Sequence, residues 1–179
     1  DYWLIEGLPT YLQHLSMVRS GVISSQESWS RLYRGFFLGK RSGRGFTVAA
    51  SMRRLARRGT YHHVYWGGAA YFFRRDVDLR IRSEGAVTLL DILLRYHKCC
   101  YEKYRSVSGD ELINDLDLLL GDDLFSRRKS DEIEIGEFPD FMTTFKKLGI
   151  QFLGNKPVFE EGPANGLATQ IMDPVRFDR

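Results

Sequence analysis

The sequence predicts a mainly α-helical protein that carries one short β-hairpin near its C-terminus. Three observations point there. Apolar residues recur at steps of three and four in several separate stretches, and Ser/Glu pairs and glycines stand where helices would start and stop. The run Ile150 to Phe159 holds a Gly154-Asn155 turn near its middle, the pattern of a hairpin. With 179 residues and 43% apolar content the chain can bury one core. No run of about 18 apolar residues occurs, so no membrane partner is expected.

The first helix carries Leu4, Leu8, Tyr11, Leu15 and Val18 on one face. At about 100° per residue, Trp3, Glu6, Gly7, Thr10 and His14 lie on another, and the small Gly7 and Thr10 there allow a neighbouring helix to pack closely. Pro9 removes one helical hydrogen bond, so the regular helix should begin near Gly7 or kink there. Ser20-Gly21 closes the helix, and Ser24 or Ser25 with Glu27 forms a capping box for a second helix from Gln26 to Leu38, which buries Trp29, Leu32, Tyr33, Phe36 and Phe37. The glycines of Gly39 to Gly45 read as a loop. Phe46 to Leu55 fits either a strand or a helix.

Tyr65 should stand just before an amphipathic helix whose apolar face is Ala70, Phe73, Val77 and Ile81 and whose polar face is Arg74, Arg75, Asp76, Asp78, Arg80 and Arg82. Gly85 ends that helix, and Val87, Leu90, Leu94 and His97 line the next. Ser108 and Glu111 form a capping box for a helix through Leu120 that stops at Gly121. Phe138, Phe141, Phe145 and Leu148 form a further stripe, opened by Pro139 and ended by Gly149. Gly162 to Arg179 has no strong period and should wrap the surface. The expected organisation is a helical unit over 1–149, with a hairpin and extension over 150–179 packed on it.

The formal charge is +3, yet Lys40 to Arg58 holds Lys40, Arg41, Arg44, Arg53, Arg54, Arg57 and Arg58 with no acid among them. Such a block could hold phosphates or a substrate carboxylate, and it also fits a solvated loop. Cys99 and Cys100 are neighbours in a helical stretch, where adjacent side chains point about 100° apart, so helix packing is expected of them and a disulfide is not. His14 reads as a surface residue, with a place behind a metal ligand as the alternative.

Trp3, Glu6, Gly7 and Tyr11 form a Trp-x-x-Glu-Gly-x-x-x-Tyr pattern. It resembles the segment that follows the His-Glu-x-x-His helix of gluzincin metallopeptidases, the glycyl aminopeptidase family above all. Tyr65, three residues before Gly68-Ala69, resembles a second motif of that group, although Gly67 stands where the family usually has lysine. The resemblance implies the all-helical C-terminal half of a thermolysin-like domain, with Glu6 as the third zinc ligand and Tyr65 as the catalytic phenol that hydrogen-bonds the tetrahedral oxyanion. It also implies a peptide substrate with a small N-terminal residue such as Gly or Ala. A catalytic zinc needs three protein ligands. No His-Glu-x-x-His occurs here, so the chain is expected to be a fragment whose partner is the rest of its own catalytic domain, and to be inactive and a poor zinc binder alone. His62 and His63 are candidates for binding substrate. The alternatives are a pseudopeptidase or peptide-binding helical module and, behind it, a nucleic-acid binder using residues 40–58. The true N-terminus is expected upstream of Asp1, which leaves localisation open.

Overall fold

The computed structural model describes residues 1–55, 60–101 and 106–172. Arg57, Arg58 and the last seven residues lie outside them. The fold is mainly helical with a single small hairpin among the described residues. Helix α1 spans Tyr2–Arg19, α2 Ser25–Gly43, α3 Val48–Met52, α4 Thr60–Arg82 and α5 Leu89–Cys99. Then come α6 (Gly109–Leu120), α7 (Leu124–Lys129), a π-helical turn (Ser130–Ile135), α8 (Phe141–Lys147), strands β1 (Ile150–Leu153) and β2 (Lys156–Phe159), and α9 (Pro163–Met172). No helix among the described residues is long and apolar enough to cross a membrane.

Helix α4 is the centre of the fold, with α1 and α2 packed along it. Its middle, Gly67 to Phe73, is buried continuously. Trp3 stacks on Phe72 at 5.9 Å and meets Tyr71 edge-on at 5.2 Å. Phe73 packs on Phe36 at 5.5 Å and on Phe145 at 5.0 Å, which joins α1, α2, α4 and α8 in one aromatic core. Such ring pairs add about 0.5 to 1.5 kcal/mol each beyond the area they bury.

Helix α1 runs unbroken through Pro9, so it does not wait for Gly7 to begin. Pro9 and Ile5 both face solvent, where the Ile5 carbonyl that loses its donor is open to water. Helix α2 continues five residues past Leu38, and the expected loop at Gly39 to Gly45 is mostly helix. The reason lies across the interface. A Cβ on Gly35 would overlap the Trp66 indole, one on Gly39 would lie 2.5 Å from Trp66 Cβ, and one on Gly43 would overlap the His63 imidazole. These glycines, four residues apart, form a groove for α4, and only Arg44 (φ 51°) and Gly45 (φ 82°) make the turn.

Phe46 to Leu55 resolves to the short α3, whose Thr47 side chain accepts the Ala50 N–H at 3.0 Å. Helix α4 starts at Thr60, so Tyr65 lies within it rather than before it. The polar face expected for α4 is solvated only in part: Arg82 is exposed, but Arg75, Asp76 and Arg80 are buried in ion pairs. Helix α5 buries Leu89, Ile92 and Tyr96 and exposes Leu94, a different phase from the expected stripe. The capping box of α6 forms as expected, with Ser108 accepting the Glu111 N–H and the Glu111 carboxylate accepting the Ser108 N–H, and Gly121 (φ 72°) ends it. Strands β1 and β2 pair antiparallel with Ile150 opposite Phe159, and Phe152 stacks on Tyr33 at 3.7 Å. Residues 163–172 form α9, which buries Ala168, Ile171 and Met172, where an irregular surface segment was expected.

Cys99 and Cys100 are joined by a disulfide. Cys100 has left the helix (φ −128°, ψ −14°), so the 100° spacing that argued against the bond does not apply to the pair.

Candidate functional site

Glu6 and Tyr65 sit on two helices held against each other by glycine. A Cβ on Gly7 would lie 2.5 Å from Gly68 Cα, and one on Gly68 would overlap the Trp3 carbonyl oxygen. No other residue lets the two backbones approach so closely. One residue before Gly7, Glu6 is half-buried at the rim of this crossing. Three residues before Gly68, Tyr65 is half-buried on α4.

Tyr61 links them. Its ring stacks on Tyr65 at 5.8 Å, and its hydroxyl points to Glu6 Oε2 across 3.5 Å. Burial and the neighbouring Glu6 carboxylate raise the Tyr61 phenol above its ordinary value, so it stays a neutral donor. Glu6, Tyr61 and Tyr65 therefore share one surface. Tyr61 is a site residue beyond those expected, and its signal in the sequence is the spacing of four from Tyr65, which puts the two rings on one helical face.

The two histidines part company. His62 is exposed, and His63 is buried with both ring nitrogens engaged inside the protein. Nε2–H donates to the Glu137 carbonyl at 2.9 Å, and Nδ1 lies 2.8 Å from Ser51 Oγ, which donates to it in the neutral ring. Burial lowers the His63 pKa, which keeps that neutral form. This ring ties α3, α4 and the segment before α8 together and leaves neither nitrogen for a substrate.

His14 is buried rather than at the surface. Its ring stacks on Trp66 at 6.0 Å, and burial with a further push from the Arg31 charge lowers its pKa to about 4. Lys40, Arg41, Arg44 and Arg53 are exposed, while Arg54 lies over the Phe46 ring at 4.1 Å.

Glu6 offers carboxylate oxygens suited to zinc, but no group of three His, Cys, Asp or Glu side chains converges among the described residues. A catalytic zinc site asks for three protein ligands and keeps its fourth position open. Glu6 alone falls short of that number. No protein-family model, no curated protein and no solved structure matches the chain.

Proposed function

We propose that this chain is the helical part of a zinc-dependent aminopeptidase that acts on peptides with a small N-terminal residue. Glu6 serves as one metal ligand, and Tyr65 as the phenol that donates to the oxyanion. The observation that carries the reading is the Gly7–Gly68 crossing, which sets Glu6 beside the stacked Tyr61 and Tyr65. Both motifs of the resemblance thus meet at one surface although nearly sixty residues separate them. The remaining two ligands belong to a segment outside this chain. Zinc supplies Lewis acidity to such a site. The residues here do the rest of the work assigned to them: Glu6 holds its oxygens at the rim, Tyr61 orients that carboxylate, and Tyr65 aims a preorganised hydroxyl at developing negative charge. A donor of that kind contributes roughly 3 to 4 kcal/mol in comparable sites.

The test uses the protein expressed with its complete reading frame, assayed for zinc content and for hydrolysis of glycyl and alanyl p-nitroanilides. Glu6→Gln should lose metal and activity together. Tyr65→Phe should keep the metal and lower kcat by about 10²- to 10³-fold. Full kcat in Tyr65→Phe, or full zinc occupancy in Glu6→Gln, would overturn the assignment. A protein that binds peptides but holds no zinc would instead be a peptide-binding module.

A further inference from the structure

Beside Tyr65 lies a cleft of about 430 Å³ between the second half of α1, the outer face of α2 and the start of α4. Its volume falls within the range of small-ligand sites. Gly35 has no side chain, so the Trp66 indole lies in the space a Cβ would take and forms one wall of the cleft. The His14 ring stacks on that indole, and its buried Nδ1 has no hydrogen-bond partner among the described residues. Buried polar atoms of this kind ordinarily have one.

The rim is cationic. Arg31 Nε and Arg34 Nη2 both reach Glu27 Oε1, at 2.8 Å and 3.5 Å, so two guanidinium groups share one carboxylate and a positive charge remains unbalanced. A second cleft, reached past Arg34 and Leu38, which line both, adds Arg41 together with the rings of Tyr33 and Phe37. No Asp or Glu is among the described residues that line either one. The groove therefore gains positive charge as it leaves Tyr65, and it offers aromatic surface throughout.

We infer that this groove binds a carboxylate-bearing segment of a peptide, with Arg31 and Arg34 receiving the carboxylate and Trp66 and His14 packing against the chain before it. Guanidinium forks match carboxylates in a paired geometry that ammonium groups do not offer. The placement relative to the scissile bond rests on the aminopeptidase reading. An aminopeptidase leaves one residue on the amino side of that bond, so a groove extending away from Tyr65 holds the leaving side. The substrate class is then a short peptide that ends, or carries an acidic side chain, within the first few residues after the bond.

The chain itself, without metal, is titrated by calorimetry with Gly-Ala-Ala as the free acid, Gly-Ala-Ala amide and Gly-Ala-Asp amide. One or both carboxylate peptides should bind at least tenfold more tightly than the neutral amide. Preference for the free acid assigns a C-terminal α-carboxylate, and preference for the Asp amide assigns a side chain. Arg31→Gln with Arg34→Gln should reduce the discrimination at least fivefold with an unchanged circular dichroism spectrum, and Glu27→Gln should tighten the carboxylate peptides about two- to fivefold. Equal binding of all three peptides, or discrimination that survives the double substitution, overturns the inference. Failure of the complete protein to cleave glycyl p-nitroanilide overturns the aminopeptidase reading alone, because this titration needs neither metal nor catalysis.

Discussion

The Tyr11 hydroxyl donates to Asp76 Oδ2 at 2.7 Å, and both side chains are buried between α1 and α4. Asp76 also accepts from Arg80 Nε at 3.2 Å and from the Leu89 N–H at 2.8 Å, so one carboxylate ties α1 to α4 and both to the first turn of α5. Burial, then the Asp76 charge, pushes the Tyr11 phenol well up, and it remains a donor at any ordinary pH. Asp76→Ala leaves three donors unpaired, one of them the buried Arg80 cation, and should cost about 3 to 5 kcal/mol in urea denaturation. Tyr11→Phe should cost about 1 to 3 kcal/mol, and the double variant should fall well short of the sum.

The helix crossing makes a steric prediction. Gly68→Ala sets a methyl group onto the Trp3 carbonyl, and both obstacles there, Trp3 O and Gly7 Cα, are backbone that cannot rotate away. The cost should reach about 3 kcal/mol or more, although alanine is the better helix former. Gly21→Ala, where a Cβ meets nothing but φ is 73°, should cost about 1 kcal/mol. Thermal denaturation of the two variants separates overlap from backbone strain.

Glu132 reaches from the π-helical turn into the side of α4, where its Oε1 meets Arg74 Nη1 at 3.1 Å and Arg75 Nη2 at 3.0 Å. Arg75 is fully buried, and its Nε and Nη1 lack partners among the described residues. Glu132→Ala should cost about 3 kcal/mol, because the buried guanidinium loses one of its two carboxylate partners among the described residues and keeps only Asp78 Oδ2 at 3.1 Å. Glu132→Leu combined with Arg75→Met should recover most of that loss. If the double variant is as unstable as the single one, the pair is needed for more than charge compensation.

Acid sensitivity follows from His14. Its pKa falls from 6.5 to about 4 on folding, so above pH 6.5 both states are neutral and the group contributes nothing to pH dependence. As pH drops from 6.5 toward 4 the unfolded chain takes the proton first, and stability is lost by up to about 3 kcal/mol at roughly 1.4 kcal/mol per pH unit. His63 acts in the same direction. His14→Phe keeps the ring on Trp66 and should lose about 2 to 3 kcal/mol less stability between pH 7 and pH 4.5 than the unsubstituted protein.

The disulfide between Cys99 and Cys100 closes a loop of adjacent residues and removes little freedom from the unfolded chain. Replacing both with serine should cost about 1 kcal/mol or less. A thiol reagent applied in denaturant should find no free cysteine until a reductant is added.

Local chemistry made much of the fold legible. The capping box at Ser108 and Glu111, the stop at Gly121 and the Gly154-Asn155 turn each depend on a few neighbouring residues, and the structure contains all of them. The buried faces of α1 and most of α2 followed from spacing alone. For the candidate site, sequence singled out Glu6, Gly7, Tyr65 and Gly68, but their meeting at one surface depends on how α1 crosses α4, and Tyr61, Trp66, Arg31 and Arg34 acquire their places only there. Gly39 and Gly43 show the same limit. In sequence a glycine marks a turn or a close contact with equal economy, and only the facing Trp66 and His63 decide that these two lie inside a helix. Arg75, Asp76 and Arg80 read as a solvated face because charge avoids the interior unless it is paired, and two of the partners that let them be buried, Glu132 for Arg75 and Tyr11 for Asp76, stand more than fifty residues away in the chain. What sequence by itself determined was helical character, caps, turns and apolar faces, all set by interactions within a few residues. Which glycines pack, which charges are buried and which side chains share a surface was decided only by the tertiary structure, because each depends on a contact between distant segments.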